Sequence, residues 1–199
     1  MVKHKRLLLF VLGAVFLMPV AARPAETVRT LAILPFENNS VTGAEQLAPL
    51  CNGLPVMLMT ELSNADTKAF KLIEREKIKA LLDEISLGQS GAIDSATAVK
   101  VGKLLGAQSI AFGAFMAMGK MMRIDTRLIE VETGEVIMAA SISGQTDNFL
   151  VLLRDLAARL ARSMQVSLAE QKTGSKSDIE AAVLFARGVD AMERGASDE

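Results

Sequence analysis

Residues 98–142 constrain the fold more than any other stretch, because the spacing of apolar residues changes inside it from a helical to an extended period. Asp94 and Ser95 are both good N-cap types. Ala98, Val101, Leu104 and Leu105 follow at helical spacing, and Gly106 stops the run. From Ser109 the pattern alternates: Ile110, Phe112, Ala114 and Met116 on one side, Ala111, Gly113, Phe115 and Ala117 on the other. Both sides are apolar, which predicts a central strand covered on both faces.

The next segment has one wet face. Met122, Ile124, Thr126 and Leu128 alternate with Arg123, Asp125 and Arg127. After Leu128 the phase slips, since Ile129 and Val131 are apolar while Glu130 and Glu132 are charged, which predicts a β-bulge at Leu128–Ile129. Glu132-Thr133-Gly134-Glu135 then reads as a hairpin turn with Gly134 supplying a positive φ. Val136, Met138, Ala140 and Ile142 return as the last strand.

These blocks carry a resemblance. Val101-Gly102-Lys103-Leu104-Leu105-Gly106-Ala107 before a strand, and then Arg127-Leu128-Ile129-Glu130-Val131-Glu132-Thr133-Gly134-Glu135-Val136, resemble the CsgG/HfaB family of curli assembly and transport components. Leu31-Ala32-Ile33-Leu34-Pro35-Phe36-Glu37-Asn38 resembles the family's first strand and loop, and Phe70-Lys71-Leu72-Ile73-Glu74-Arg75 its second strand. The four blocks keep the family's order over roughly residues 30–165, and the FlgO, TolB amino-terminal and LpoB-type envelope domains share the same layout. The resemblance implies cell-envelope work through protein contacts. It also implies, for curli-type members, an outer-membrane pore made by inserting long β-hairpins.

Two features depart from that pore. The meander closes at Gly119-Lys120 and again at Thr133-Gly134, so neither turn carries an inserted pair of spanning strands, each of which needs about 9–11 residues. The lone Cys51 follows Pro49-Leu50, almost 30 residues past the expected signal cleavage site, and is no lipid-anchor cysteine. With Leu47, Leu54 and Leu58 it falls on one helical face, as a buried structural thiol would. The expectation is therefore a non-enzymatic periplasmic envelope-assembly or secretion component. A secretion-channel subunit of the outer membrane, and a FlgO- or LpoB-like regulator of an envelope enzyme or appendage, are the alternatives. Protein partners in the envelope are expected, with homo-oligomerisation and outer-membrane association left open.

The export signal is read from the start of the chain. Lys3, Lys5 and Arg6 precede an apolar run from Leu7 to Met18, and Val20-Ala21-Ala22 fits a signal-peptidase site, so residues 1–22 are assigned as a signal peptide. The run of about 12 residues is short of the roughly 20 that a spanning helix requires. Loss of this segment turns 22 basic against 23 acidic residues into 19 against 23, a net charge of −4. A nucleic-acid-binding chain would show a basic stripe. Arg154, Arg159 and Arg162, interrupted by Asp155, read instead as a solvated helix face.

Composition also bounds the chemistry. The single histidine, His4, lies in the signal segment, which excludes histidine-based catalysis and His-containing zinc sites from the mature chain. One cysteine makes neither an intramolecular disulfide nor a thiolate cluster. Gly102-Lys103 fails the phosphate-loop pattern, because Thr97 stands where its first glycine belongs and no Ser or Thr follows the lysine. The carboxylate pairs Asp83 with Glu84 and Glu130 with Glu132 sit in surface-patterned segments. No catalytic, cofactor-binding or metal-binding residue is assigned.

The remaining elements complete one domain over residues 28–170, of the α/β (α+β mixed) class. Leu47 to Leu62 is helical, with Pro49 and Pro55 implying a late start or a kink and Leu54, Met57, Leu58 and Leu62 facing inward. A strand follows at Phe70–Glu74. Ile78, Leu81, Leu82 and Ile85 stripe the next helix, which ends at the Gly88–Gly91 loop. Thr146 or Asp147 caps a long helix striped by Phe149, Leu152, Leu153, Leu156, Leu160, Met164 and Leu168. The predicted order is β-α-β-α-α-β-β-β-α, a mixed sheet of about five strands with a C-terminal antiparallel meander and helices packed on it. Residues 171–178 read as a linker. Residues 179–199 form a C-terminal helix with Ala182, Leu184, Phe185, Gly188, Val189 and Met192. It reads either as the start of a truncated tetratricopeptide repeat or as an ordinary amphipathic helix docking on the domain or a partner.

Overall fold

A computed structural model describes residues 28–63, 70–85, 93–166, 168 and 179–195. The signal segment, the Gly88–Gly91 loop and the 171–178 linker lie outside these described residues. The elements run β1 (Arg29–Asn38), α1 (Ala44–Leu47), α2 (Leu50–Ser63), β2 (Phe70–Leu72), α3 (Arg75–Glu84) and α4 (Ser95–Leu105). They continue with β3 (Ser109–Met118), β4 (Met121–Glu130), β5 (Val136–Gln145), a 3-10 turn (Thr146–Asn148), α5 (Phe149–Ser163) and α6 (Ile179–Gly195). The sheet order is β2-β1-β3-β4-β5. β1 is parallel to both its neighbours and β3-β4-β5 is an antiparallel meander, so the predicted mixed sheet and element order hold.

Two cores sandwich the sheet. The larger joins Leu31, Ile33, Phe36, Phe115, Ile124 and Leu128 to the apolar faces of α2, α5 and α6. The smaller joins Ala32, Leu34, Ile110, Phe112, Ile129 and Val131 to Ile78 and Leu82 of α3 and Ala98 and Val101 of α4. Each fully buried large aliphatic or aromatic side chain contributes about 1.5–3 kcal/mol. β3 feeds both cores, which is what its two apolar faces required. Coverage fails at its far end, however: Met116 is 38% and Met118 62% exposed, because α4 reaches only the first half of the strand.

The sheet has two register shifts. One is the expected bulge at Leu128/Ile129 against β5, where Ile137 of β5 is the extra residue; β4 itself stays in register with β3, so plain alternation puts Leu128 in the larger core and Ile129 in the smaller. A second shift, between Ile33 and Phe36, was not anticipated; Pro35 lies inside it and cannot donate to the ladder. It turns Phe36 to the same core as Leu31 and Ile33.

Helix ends follow local chemistry where the sequence could show it. Asp94 caps α4 by accepting from the Thr97 N–H at 2.7 Å. Gly106, at φ 67°, closes its other end with Ala107 N–H donating to Gly102 and Gly106 N–H to Lys103. The helix expected from Leu47 breaks around Pro49 into α1 and a late-starting α2 that carries Pro55 internally, the late start that the prolines implied. Elsewhere tertiary context corrects the sequence reading. The strand from Phe70 stops at Leu72, and Glu74 becomes the N-cap position of α3. Thr146 and Asp147 form the 3-10 turn, with Thr146 N–H tied to the Lys120 carbonyl, so Asn148 rather than either of them precedes α5. α5 ends at Ser163 in a Schellman closure, Val166 N–H to Ala161 and Gln165 N–H to Arg162, with Gln165 at φ 61°. Met164 and Leu168 therefore lie beyond the helix, yet both still pack on the larger core.

α6 docks on α2. Ala182, Val183, Ala186 and Val189 are buried, and Gly53 of α2 admits the close approach, because a Cβ there would overlap Ala186. The stripe expected from sequence is thus partly wrong, since Leu184, Phe185 and Met192 are exposed and lie outside the face buried against α2.

Phe112→Ala removes a ring at the junction of the smaller core and the central strand. It is expected to lower unfolding free energy by about 3–5 kcal/mol, read as a lower urea midpoint at unchanged slope.

Candidate interaction surface

Because α3 and α4 cover only one end of their side of the sheet, the other end is open. Arg123, Asp125 and Arg127 of β4 stand there in alternation, as the period of two dictates. Asp125 lies between two small neighbours, Ala114 on β3 and Ser141 on β5, while Arg127 stands between Phe112 and Ala139 and Arg123 between Met116 and Ser143. The result is a shallow depression of about 540 Å³ floored by Ala114, Ala139 and Ser141 and rimmed by Phe112, Asp125 and Arg127.

The charges in it are organised. Arg123 Nε donates to Asp125 Oδ1 and Oδ2 at 3.0 and 2.9 Å, and its Nη2 to Oδ1 at 2.8 Å. This fork holds the Asp125 carboxyl below the ordinary aspartate value and the Arg123 guanidinium above its own, with Ser141 also lowering Asp125 by hydrogen bonding. Glu37 reaches this side of the sheet from β1, and its Oε1 accepts from the Ile93 N–H at 2.8 Å, fastening the approach to α4.

β5 borders this depression and forms one edge of the sheet, with β4 as its sole strand neighbour among the described residues. Its ten residues include no charged side chain and no proline, and Val136 and Ile137 are 51% and 39% exposed. Such an edge presents unpaired backbone donors and acceptors without the charges that normally blunt it. At the β3–β4 tip, where Gly119 at φ 59° and Lys120 make a two-residue turn, Met118 and Met121 are exposed beside Val41.

The residues weighed for chemistry do not converge. Asp83 is exposed and 3.9 Å from Lys79; Glu130 accepts from the Thr133 hydroxyl at 3.0 Å; Gly102 and Lys103 lie within α4. Cys51 is partly buried and packs against the larger core, as do Leu47 and the fully buried Leu54 and Leu58. Burial pushes its thiol up, and the Asp190 carboxylate adds to this, which disfavours the reactive thiolate. Among the described residues no three His, Cys, Asp or Glu side chains are placed to hold a metal ion. The arginines of α5 form no basic stripe either. Arg154 Nε lies 3.5 Å from Glu61 of α2, Arg159 pairs with Asp155 at 3.0 Å, and Arg162 Nε donates to the Ala158 carbonyl.

The fold and its surfaces define a mixed α/β domain whose accessible features are a sheet edge, an open sheet face and apolar patches. The sequence profile of the curli production assembly/transport component CsgG matches residues 16–123, more than half of the chain, and the chain belongs to that family. The match runs through β1–β3 and ends within β4. No curated protein sequence matches. Among solved structures, the LpoB C-terminal domain from Escherichia coli is 15% identical, with a TM-score of 0.42 over 63% of this chain and 89% of that one. The PelC dodecamer from Paraburkholderia phytofirmans is 13% identical, with a TM-score of 0.43 over 72% and 90%. TolB from Acinetobacter baumannii is 11% identical, with a TM-score of 0.41 over 69% and 27%.

The Arg123–Asp125 fork predicts a measurable titration. Since the folded carboxyl lies below its unfolded value, the pair's contribution to stability is complete above the ordinary aspartate range and is lost as pH falls through the lower folded value. Carboxyl NMR should find the Asp125 midpoint depressed, and Arg123→Gln should return it toward 3.8.

Proposed function

We propose that this chain is a non-enzymatic envelope component, exported to the periplasm, that assists assembly or secretion through protein–protein contacts. The observation that carries this reading is β5, a ten-residue uncharged strand at the end of the sheet order, with no strand beyond it among the described residues, an edge of the kind that an extended segment can pair with. Membership of the curli assembly and transport family supports an envelope setting, and the basic, apolar and small-residue pattern of residues 1–22 supports export.

The turns argue against a channel. Met118 pairs with Met121 across Gly119-Lys120, and the ten residues of each meander strand are already committed to the domain sheet. Against lipid, Arg123 and Arg127 would each cost on the order of 2–4 kcal/mol near the midplane. Partner contact at the edge requires no such rearrangement.

Fractionation of the exported protein tests this directly. The mature chain should begin at Arg23 by mass spectrometry, leave the cell with the soluble periplasmic fraction, remain soluble without detergent and conduct no ions in planar bilayers. Extraction only with outer membrane, together with reproducible single-channel conductance, would replace the adaptor by a secretion-channel subunit.

A further inference from the structure

α6 is apolar on two opposite sides. One arc, Ala182, Val183, Ala186 and Val189, is buried against the domain. At about 100° per residue, Leu184, Gly188 and Met192 line the other side, with Phe185 beside them. Leu184, Phe185 and Met192 are 66%, 48% and 69% exposed. A helix with apolar stripes on both sides is normally covered on both, and α2 covers only one.

We propose that the outer face of α6 is the interface of a two-fold homodimer, in which α6 packs antiparallel on the partner's α6 with Gly188 at the axis. The row is self-complementary. Leu184 and Met192 stand four residues either side of Gly188, so reversal about that glycine sets Leu184 against the partner's Met192 and one glycine against the other. A Cβ added at Gly188 would meet nothing within 4 Å, so the chain itself leaves that space open to a closely approaching backbone.

Charge selects the direction and the occupant. Glu180, Arg187 and Arg194 share one flank of this row and are all exposed. Parallel packing about a two-fold axis would turn this flank toward the partner's other flank, where Phe185 and Val189 stand, and would leave these charges unpaired. In the antiparallel arrangement Glu180, about 12 Å before Gly188, meets the partner's Arg194, about 9 Å beyond it, and the symmetry makes this pair twice. Arg187 alone approaches its copy, at a solvent-exposed flank where salt screens the repulsion. The pairing leaves β5 free, so it stands or falls independently of the edge-strand reading.

Sedimentation equilibrium of the mature protein over a wide concentration range tests the pairing, with three sets of variants. The unmodified protein should dimerise. Gly188→Glu touches nothing in the monomer and replaces a poor helix former, so its far-UV spectrum and thermal midpoint at low concentration should be retained. Its dimer should weaken by roughly a hundredfold or more. Glu180→Arg should weaken the dimer by several-fold, and Arg194→Glu added to it should restore most of the loss. Gly188→Cys should give a disulfide-linked dimer on oxidation. A protein monomeric at every concentration would overturn the proposal, as would a dimer undisturbed by Gly188→Glu or a Glu180→Arg defect that Arg194→Glu does not rescue.

Discussion

A strand with apolar side chains on both faces is stable only between two covering layers, and β3 is where the two cores of this domain meet. Ala111 and Phe115 enter the larger core while Ile110 and Phe112 enter the smaller. Parallel pairing to β1 and antiparallel pairing to β4 satisfy its backbone on both sides. The rest of the architecture adjusts to it. The shift around Pro35 lets β1 place both Ile33 and Phe36 in the larger layer, while β4 divides its apolar residues between the unequal layers by plain alternation.

That inequality shapes the surface. α2, α5 and α6 cover one side of the sheet, whereas α3 and α4 cover only part of the other, so the far ends of β3, β4 and β5 meet solvent. Alternation then places Arg123, Asp125 and Arg127 outward while Met122, Ile124 and Thr126 stay inside. The same geometry leaves β5 as a long edge without charge. Natural sheets usually protect such an edge, and its neutrality here is a cost to solubility unless a partner segment uses it.

The sequence revealed features set by neighbours along the chain. The Asp94 cap, the Gly106 stop, the double-sided pattern of β3, the wet face of β4 and the slip at Leu128–Ile129 each rest on a few adjacent residues. What it hid was decided across space. That β5 is an edge follows from strand order, and its Ala139, Ser141 and Ser143 offer only a faint signal of an open face. The start of α5 moved because Thr146 is held by Lys120 from another turn. The inner stripe of α6 was misread because Leu184 and Phe185 are more apolar than Ala182 and Ala186, yet only small residues fit against Gly53. A second apolar stripe makes the buried side of a helix ambiguous from spacing alone.

The central claim is that a doubly covered strand supports an open, uncharged sheet edge. Residue-resolved amide hydrogen exchange of the mature protein measures both halves at once. Paired amides of β1 and β3 should exchange slowest, through global unfolding, while alternate amides of β5, those facing away from β4, exchange orders of magnitude faster. Uniform protection along all of β5, equal to that of β3, would show that its edge is already covered and would contradict this account.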